Sequence, residues 1–406
     1  MQIPQSDGPS IGQRLEFRRR RRGLSRKVVA NLAGRSEEWL RLVESGQRKL
    51  DSLEILFRIS EILQIEDFTE LVDWPDRPTA RPNPGPQEGL RELREVVIDH
   101  PALRIRSKHP TAGQDTAVLA TDLRDCRTTW TTSPDRYSQL IRRLPGIIEA
   151  ARTARWQRQD AETADWLVDA YHLARHLFTA CGDHDMAATV ADRAMETSAQ
   201  VHHPQLIAAS AWHVAMALLH SRYPVEARDY ALAASHRLAE TDASGDAELL
   251  VAALRLLAAH AAAIATDTKG ATSLLAEARA KASGIDRDRN VRGIAFGPAE
   301  VGITSIEIAL AQHDPDQVIR MAPTIPMFED LAYERRVTYL ICQACAFVLR
   351  REDAEATLVL MKIAELSPEA IRFDSDAHHC IQQLLRRENY FIRAEVNSLA
   401  QLADIT

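Results

Sequence analysis

Apolar residues recur at intervals of three and four along almost the whole chain, the spacing of one face of an α-helix, while apolar-polar alternation is nearly absent. The pattern predicts an all-α protein. Near the start it resolves into helices at roughly 11–22, 25–33, 36–45 and 52–65. Ser25, Ser36 and Ser52 can each accept a first-turn amide hydrogen bond as an N-cap, and Gly23 and Gly46 can take the left-handed backbone that ends a helix. Val29, Ala33, Leu40, Val43, Leu53, Leu56 and Leu63 would then close a small four-helix core.

Five prolines between Trp74 and Gly89 fix backbone angles and remove amide donors, which predicts a stiff linker without helix. Beyond it the chain repeats itself from about Ala161. Phe178, Ala187 and Ala194 recur as Leu218, Ala227 and Ala234, shifted by 40, and the last two recur as Ala271 and Ala278, shifted by 44. Weaker copies around 313–322 and 351–368 bring the expectation to about five helical pairs, with small residues allowing close crossings. The expected division is 1–73, the small four-helix domain; 74–89, the Pro-rich linker; 90–160, connecting and capping helices; and 161–406, a helical repeat domain. Helices after His378 would cap the far end.

A chain of 406 residues with 45% apolar and 26% charged content suits a folded protein of two domains. No signal-peptide plan opens it, and no stretch approaches about 18 uncharged apolar residues, so a cytoplasmic location without a membrane partner is expected. Five scattered cysteines fit reduced thiols. The net charge of -7 hides an asymmetry, because residues 11–50 carry twelve Arg or Lys against four Glu. A compact basic segment on an acidic chain is the electrostatic footprint of a nucleic-acid module.

The stretch GLSRKVVANLAGRSEEWLRLVESGQRKL resembles the helix-turn-helix of the Cro and phage-repressor-like (XRE) family. Ala30 is small where two helices touch, Gly34 sits in the turn, and Leu40 and Val43 anchor the second helix. The resemblance implies that this second helix enters the major groove, so that Ser36, Glu37, Glu38 and Arg41 can reach base edges. Arg26, Lys27, Arg48 and Lys49 would then hold the phosphate backbone. Arg35, Arg18 and Leu42 depart from the family pattern, and the run Arg18 to Arg22 reads more simply as a charged helix face than as phosphate contacts.

Tyr171, Ala174, Phe178, Gly182, Asp183, Ala187 and Ala194 resemble a tetratricopeptide repeat, with Arg175 standing where that family usually has Gly and a period longer than the family's. The resemblance implies that the first helix of each pair lines a concave groove. It places His172, His176 and Trp212 inward as candidate ligand contacts, with core packing as the simpler alternative.

Other chemistry is sparse. Cys342 and Cys345, with His378, His379 and Cys380 downstream, lie in apolar helical sequence where cysteine serves as a small hydrophobe. No phosphate loop, nucleophile elbow or spaced carboxylate pair is present, so no enzymatic activity, metal or cofactor is expected. The layout as a whole resembles peptide-pheromone receptor regulators and a set of actinobacterial regulators of the same build. Asparagines able to grip a peptide backbone are few, with only Asn290, Asn389 and Asn397 beyond Ala161. The expected function is a homodimeric, sequence-specific transcription regulator acting on an inverted repeat in duplex DNA. Its solenoid would bind a peptide, small-molecule or protein ligand. The alternative is a protein-protein adaptor whose helix-turn-helix does not bind DNA.

Overall fold

A computed structural model describes residues 24–48, 84–99, 116–326, 331–387 and 389–405, together with Leu15, Glu16, Arg19, Arg20, Arg22, Ile59, Ile62 and Leu63. The chain divides into two compact units, Met1–Arg81 and Pro82–Thr406. The proposed core residues Leu53 and Leu56, the site residue Lys49, Arg18 and most of the proline-rich stretch lie outside the described residues.

In the first unit, α1 (Arg26–Leu32) and α2 (Glu37–Glu44) begin where the sequence places them. Ser25 Oγ accepts from the Val28 amide at 3.3 Å and Ser36 Oγ from the Trp39 amide at 3.1 Å, satisfying donors that a helix start leaves open. Between them Gly34 turns the chain at φ +69°, a conformation that costs glycine nothing. Ala30, fully buried, lets the helices approach, and Leu15, Val29, Ala33, Trp39, Leu40, Val43, Ile59 and Leu63 complete the cluster.

The second unit begins with α3 (Pro84–Ile98), so helix starts inside the stretch expected to exclude it. Pro84 and Pro86 fall in its first turn, where a missing amide donor breaks no intrahelical bond. Next come α4 (Thr116–Thr132) and α5 (Arg136–Arg158). Five helical hairpins follow among the described residues: α6 (Ala161–Ala180) with α7 (His184–Ala199), α8 (Pro204–His220) with α9 (Pro224–Thr241), α10 (Gly245–Ile264) with α11 (Thr268–Ala282), α12 (Pro298–Ala311) with α13 (Pro315–Met321), and α14 (Tyr333–Arg350) with α15 (Asp353–Leu366). Of the repeating alanines, Ala187, Ala194, Ala227, Ala271 and Ala278 are buried between the helices, while Ala234 is half-buried at the edge of the same core. Among the described residues the fold is all-α apart from one short hairpin, β1 (Arg289–Val291) and β2 (Ile294–Phe296). Helix α10 is long and apolar enough to cross a membrane, but most of that apolar window is buried inside the unit, as in a core helix.

The flanking helices do not cap two separate ends. They meet. After α15 come α16 (Pro368–Phe373), α17 (Ser375–Arg387) and α18 (Arg393–Leu402). Glu369 of α16 accepts from the Tyr137 and Ser138 amides at the start of α5, at 2.9 and 3.2 Å. Ser367 donates to the Pro134 carbonyl at 2.8 Å, the Tyr137 and Phe373 rings stack at 5.1 Å, and Trp130 Nε1 of α4 donates to Glu334 of α14 at 2.6 Å. The superhelix therefore closes on itself, and its concave face becomes a chamber.

Candidate nucleic-acid interface and solenoid chamber

The first candidate site is the outward face of α2. Ser36, Glu37, Glu38 and Arg41 are all exposed, as the helical register requires once Leu40 and Val43 face the core. Arg41 is engaged with Glu38 one turn back, its Nε and Nη2 donating to the two carboxylate oxygens at 2.8 and 2.7 Å. That partner holds the Arg41 guanidinium above its ordinary pKa and the Glu38 carboxyl below its own. Glu37 and Glu38 also lie in the first turn, where the helix dipole favours negative charge.

The expected phosphate contacts divide. Lys27 and Arg48 are exposed. Arg26 is not a free arm: it donates to Glu44 at 2.6 Å and to Glu16 at 3.1 Å. Glu44 is 2% exposed and also receives two bonds from Arg19, at 2.6 and 3.1 Å. Arg19, within a run expected to be a solvated face, is itself only 7% exposed, because a buried carboxylate requires a buried cation. Two departures from the family pattern also gain a role: the Arg35 guanidinium lies 5.8 Å from the Trp39 ring centroid, and Leu42 is half-buried.

The second candidate site lies in the second unit. His172 and His176 on α6 are brought together with Trp212 and His213 on α8. His172 and His213 stack at 3.7 Å, and His172 Nε2 sits 3.2 Å from Ser210 Oγ. Arg175 occupies the centre of this group. It is 2% exposed, donates from Nε to His213 Nδ1 at 3.0 Å, contacts the His176 ring nitrogens at 2.8 and 3.1 Å, and lies 5.4 Å from the Trp212 ring centroid. Burial lowers its pKa to about 10, with the charge of Glu334 pulling the other way. Burial, reinforced by neighbouring cations, pushes His172 and His213 well below the usual histidine range; His176 is lowered too, by burial and Arg175 against the pull of Glu334.

A cavity of about 390 Å³ opens against this cluster, within the usual range for small-molecule sites. His172, His176 and His213 line it; Trp212 packs behind them and does not. The other walls come from α4, from the start of α14 and from the β-hairpin. Val291, Ile294 and Phe296 anchor one face of the hairpin in the core around α10, leaving Asn290, Ala295 and Arg292 toward the cavity. Arg292 and Gly293, both at positive φ, make its two-residue turn, closed by Asn290 Oδ1 accepting from the Gly293 amide at 2.9 Å. Three-residue strands are too short for a pattern reading to register, and this wall was not legible in the sequence.

Residues 10–71 match the family model described as a helix-turn-helix domain. The chain is thus an all-α protein whose N-terminal segment is a helix-turn-helix domain, in keeping with the resemblance carried by Ala30, Gly34, Leu40 and Val43. No curated protein matches the sequence. Among solved structures it is similar to PlcR of Bacillus thuringiensis, in complex with the peptide PapR7 and DNA, at 10% identity and a TM-score of 0.26, covering 78% of this chain and 98% of that one. A likeness that remote says nothing about what this chain binds.

Proposed function

We propose that the chain is a transcription regulator that reads duplex DNA through α2 and senses a ligand in its solenoid. The observation that carries the reading is the helix-turn-helix itself: a family match over 10–71 together with an exposed α2 face bearing Ser36, Glu37, Glu38 and Arg41. Arg41 reads a base and Lys27, Arg48 and Lys49 hold phosphates, while Arg26 stays with Glu44 and Glu16. The protein acts in the cytoplasm as a homodimer on an inverted repeat, and ligand in the chamber shifts its DNA affinity by favouring one of two arrangements. It is not an enzyme in this reading.

Footprinting on the region upstream of its own gene tests this. The regulator reading expects a short protected inverted repeat that disappears when Arg41 and Arg48 are both replaced by alanine. Sequence-blind protection contradicts it.

A second reading has one observation in its favour: Arg41 and Arg26, two of the cations expected to meet DNA, are already paired with glutamates. In it, the chain is an adaptor whose solenoid docks a protein partner and whose N-terminal unit does not bind DNA. The same Arg41 and Arg48 double variant discriminates, since an adaptor keeps its partner and its phenotype.

A further inference from the structure

The sensor reading leaves the ligand's chemistry open, and the chamber walls narrow it. Six arginines line the cavity, Arg124, Arg127, Arg287, Arg289, Arg292 and Arg335, against two carboxylates, Asp169 and Asp288. Neither carboxylate is available to a cationic ligand. Asp288 accepts from the Ala299 and Glu300 amides at the start of α12, at 2.9 and 2.8 Å, and Asp169 lies against Arg127. The acids that pair with the other arginines, Asp165 with Arg292, Asp246 with Arg289, and Glu300 and Glu307 with Arg335, are not part of the lining. Arg124 is exposed at the rim, with no partner for its guanidinium among the described residues. Behind the wall, the buried Arg175 donates to imidazoles among the described residues, and the Glu334 carboxylate, 3.4 Å from His176, faces the same cluster.

The rest of the lining sets neutral polar groups, Thr128, Thr131, Thr132 and Asn290, beside a flat and apolar wall made by the Trp130 ring, the stacked imidazoles of His172 and His213, Leu173 and Leu331. Size also selects. A cavity of about 390 Å³ suits a compact molecule of small-ligand size. We propose that the chamber binds one compact organic anion with a flat apolar body. Its charged group is held by Arg124 and Arg292, and its body lies against Trp130 and the stacked imidazoles. The proposal rests on the sensor reading above and names the ligand class of that same site.

The test titrates the full-length protein, without DNA, with anilinonaphthalene sulfonate and separately with phenylnaphthylamine, which has the same rings and no charge, following probe fluorescence. The expected result is saturable binding of one sulfonate per chain, at least about tenfold tighter than the neutral probe, since a hydrogen bond to a charged group is worth roughly that factor. Arg124→Gln and Arg292→Asn should each weaken the sulfonate and leave the neutral probe unchanged. Both variants should fold, because Arg124 is an exposed helical residue and position 292 sits at φ +55°, which asparagine tolerates. Equal binding of the two probes, no saturable site, or variants that leave the sulfonate constant unchanged would overturn the proposal. Because DNA is absent, these outcomes are independent of the footprint: loss of operator protection sinks the regulator reading and leaves the chamber result standing, and the reverse holds.

Discussion

Glu44 holds the N-terminal unit together from inside. Its carboxylate is shared by Arg19 and Arg26, and taking it away leaves the Arg19 guanidinium buried without a counter-charge. Glu44→Ala should therefore destabilise the unit by about 3–5 kcal/mol, the range for breaking a buried pair, seen as faster amide exchange in α1 and α2. The same pair sets an acid limit. Burial pushes the Glu44 carboxyl up, but the hydrogen bonds and charges of Arg19 and Arg26 outweigh it and hold it below the usual carboxylate range. A depressed carboxylate stabilises the fold above its unfolded pKa and loses that contribution as pH falls through the folded one, so α1 and α2 should lose exchange protection in acid. Protection in α1 and α2 that did not fall on acidification, or a neutral Glu44→Ala, would refute this account of the pair.

At the scale of elements, helix starts were legible because capping is local: Ser25 and Ser36 bond within three residues of themselves. The repeating alanines were legible for a similar reason, since a crossing needs a small residue at each period. Arg175 was visible only as a departure from a repeat pattern. Its partner His213 lies 38 residues away, and so does the Ser210 that meets His172, offsets that join neighbouring hairpins and declare themselves once the stack exists. The β-hairpin escaped the sequence reading, although Arg292-Gly293 makes its turn and Gly297 secures its exit. A Cβ at position 297 would stand 2.5 Å from the Asp288 Cα and 2.4 Å from its Oδ1. Gly297→Ala should thus cost about 1–3 kcal/mol through overpacking and weaken the anionic probe, whereas an unchanged melting temperature would show that the hairpin yields freely.

For the molecule as a whole, the decisive contacts are the most distant in sequence. Trp130 and Glu334 are 204 residues apart, and Tyr137 and Glu369 are 232 apart, beyond any periodicity. The helices that close the ring were expected from their pattern; that they meet each other was not, because a helical face does not specify which partner covers it. Glu369→Ala removes an acceptor from two amides at the start of α5 and should cost about 1 kcal/mol, as other cap deletions do. Circular dichroism should keep its helical signal while exchange quickens at the Tyr137 and Ser138 amides. Unaltered exchange there would mean that the closure does not depend on this cap.

The central claim is that α2 of the N-terminal domain reads base sequence. The most direct measurement is selection from a pool of random duplexes by the full-length protein at moderate ionic strength, repeated with Arg41→Ala. A short inverted repeat should emerge, and the variant should bind it roughly tenfold or more weakly and lose discrimination at one position of each half-site. A pool that never departs from random, or a variant that selects the same repeat with the same affinity, would contradict the claim.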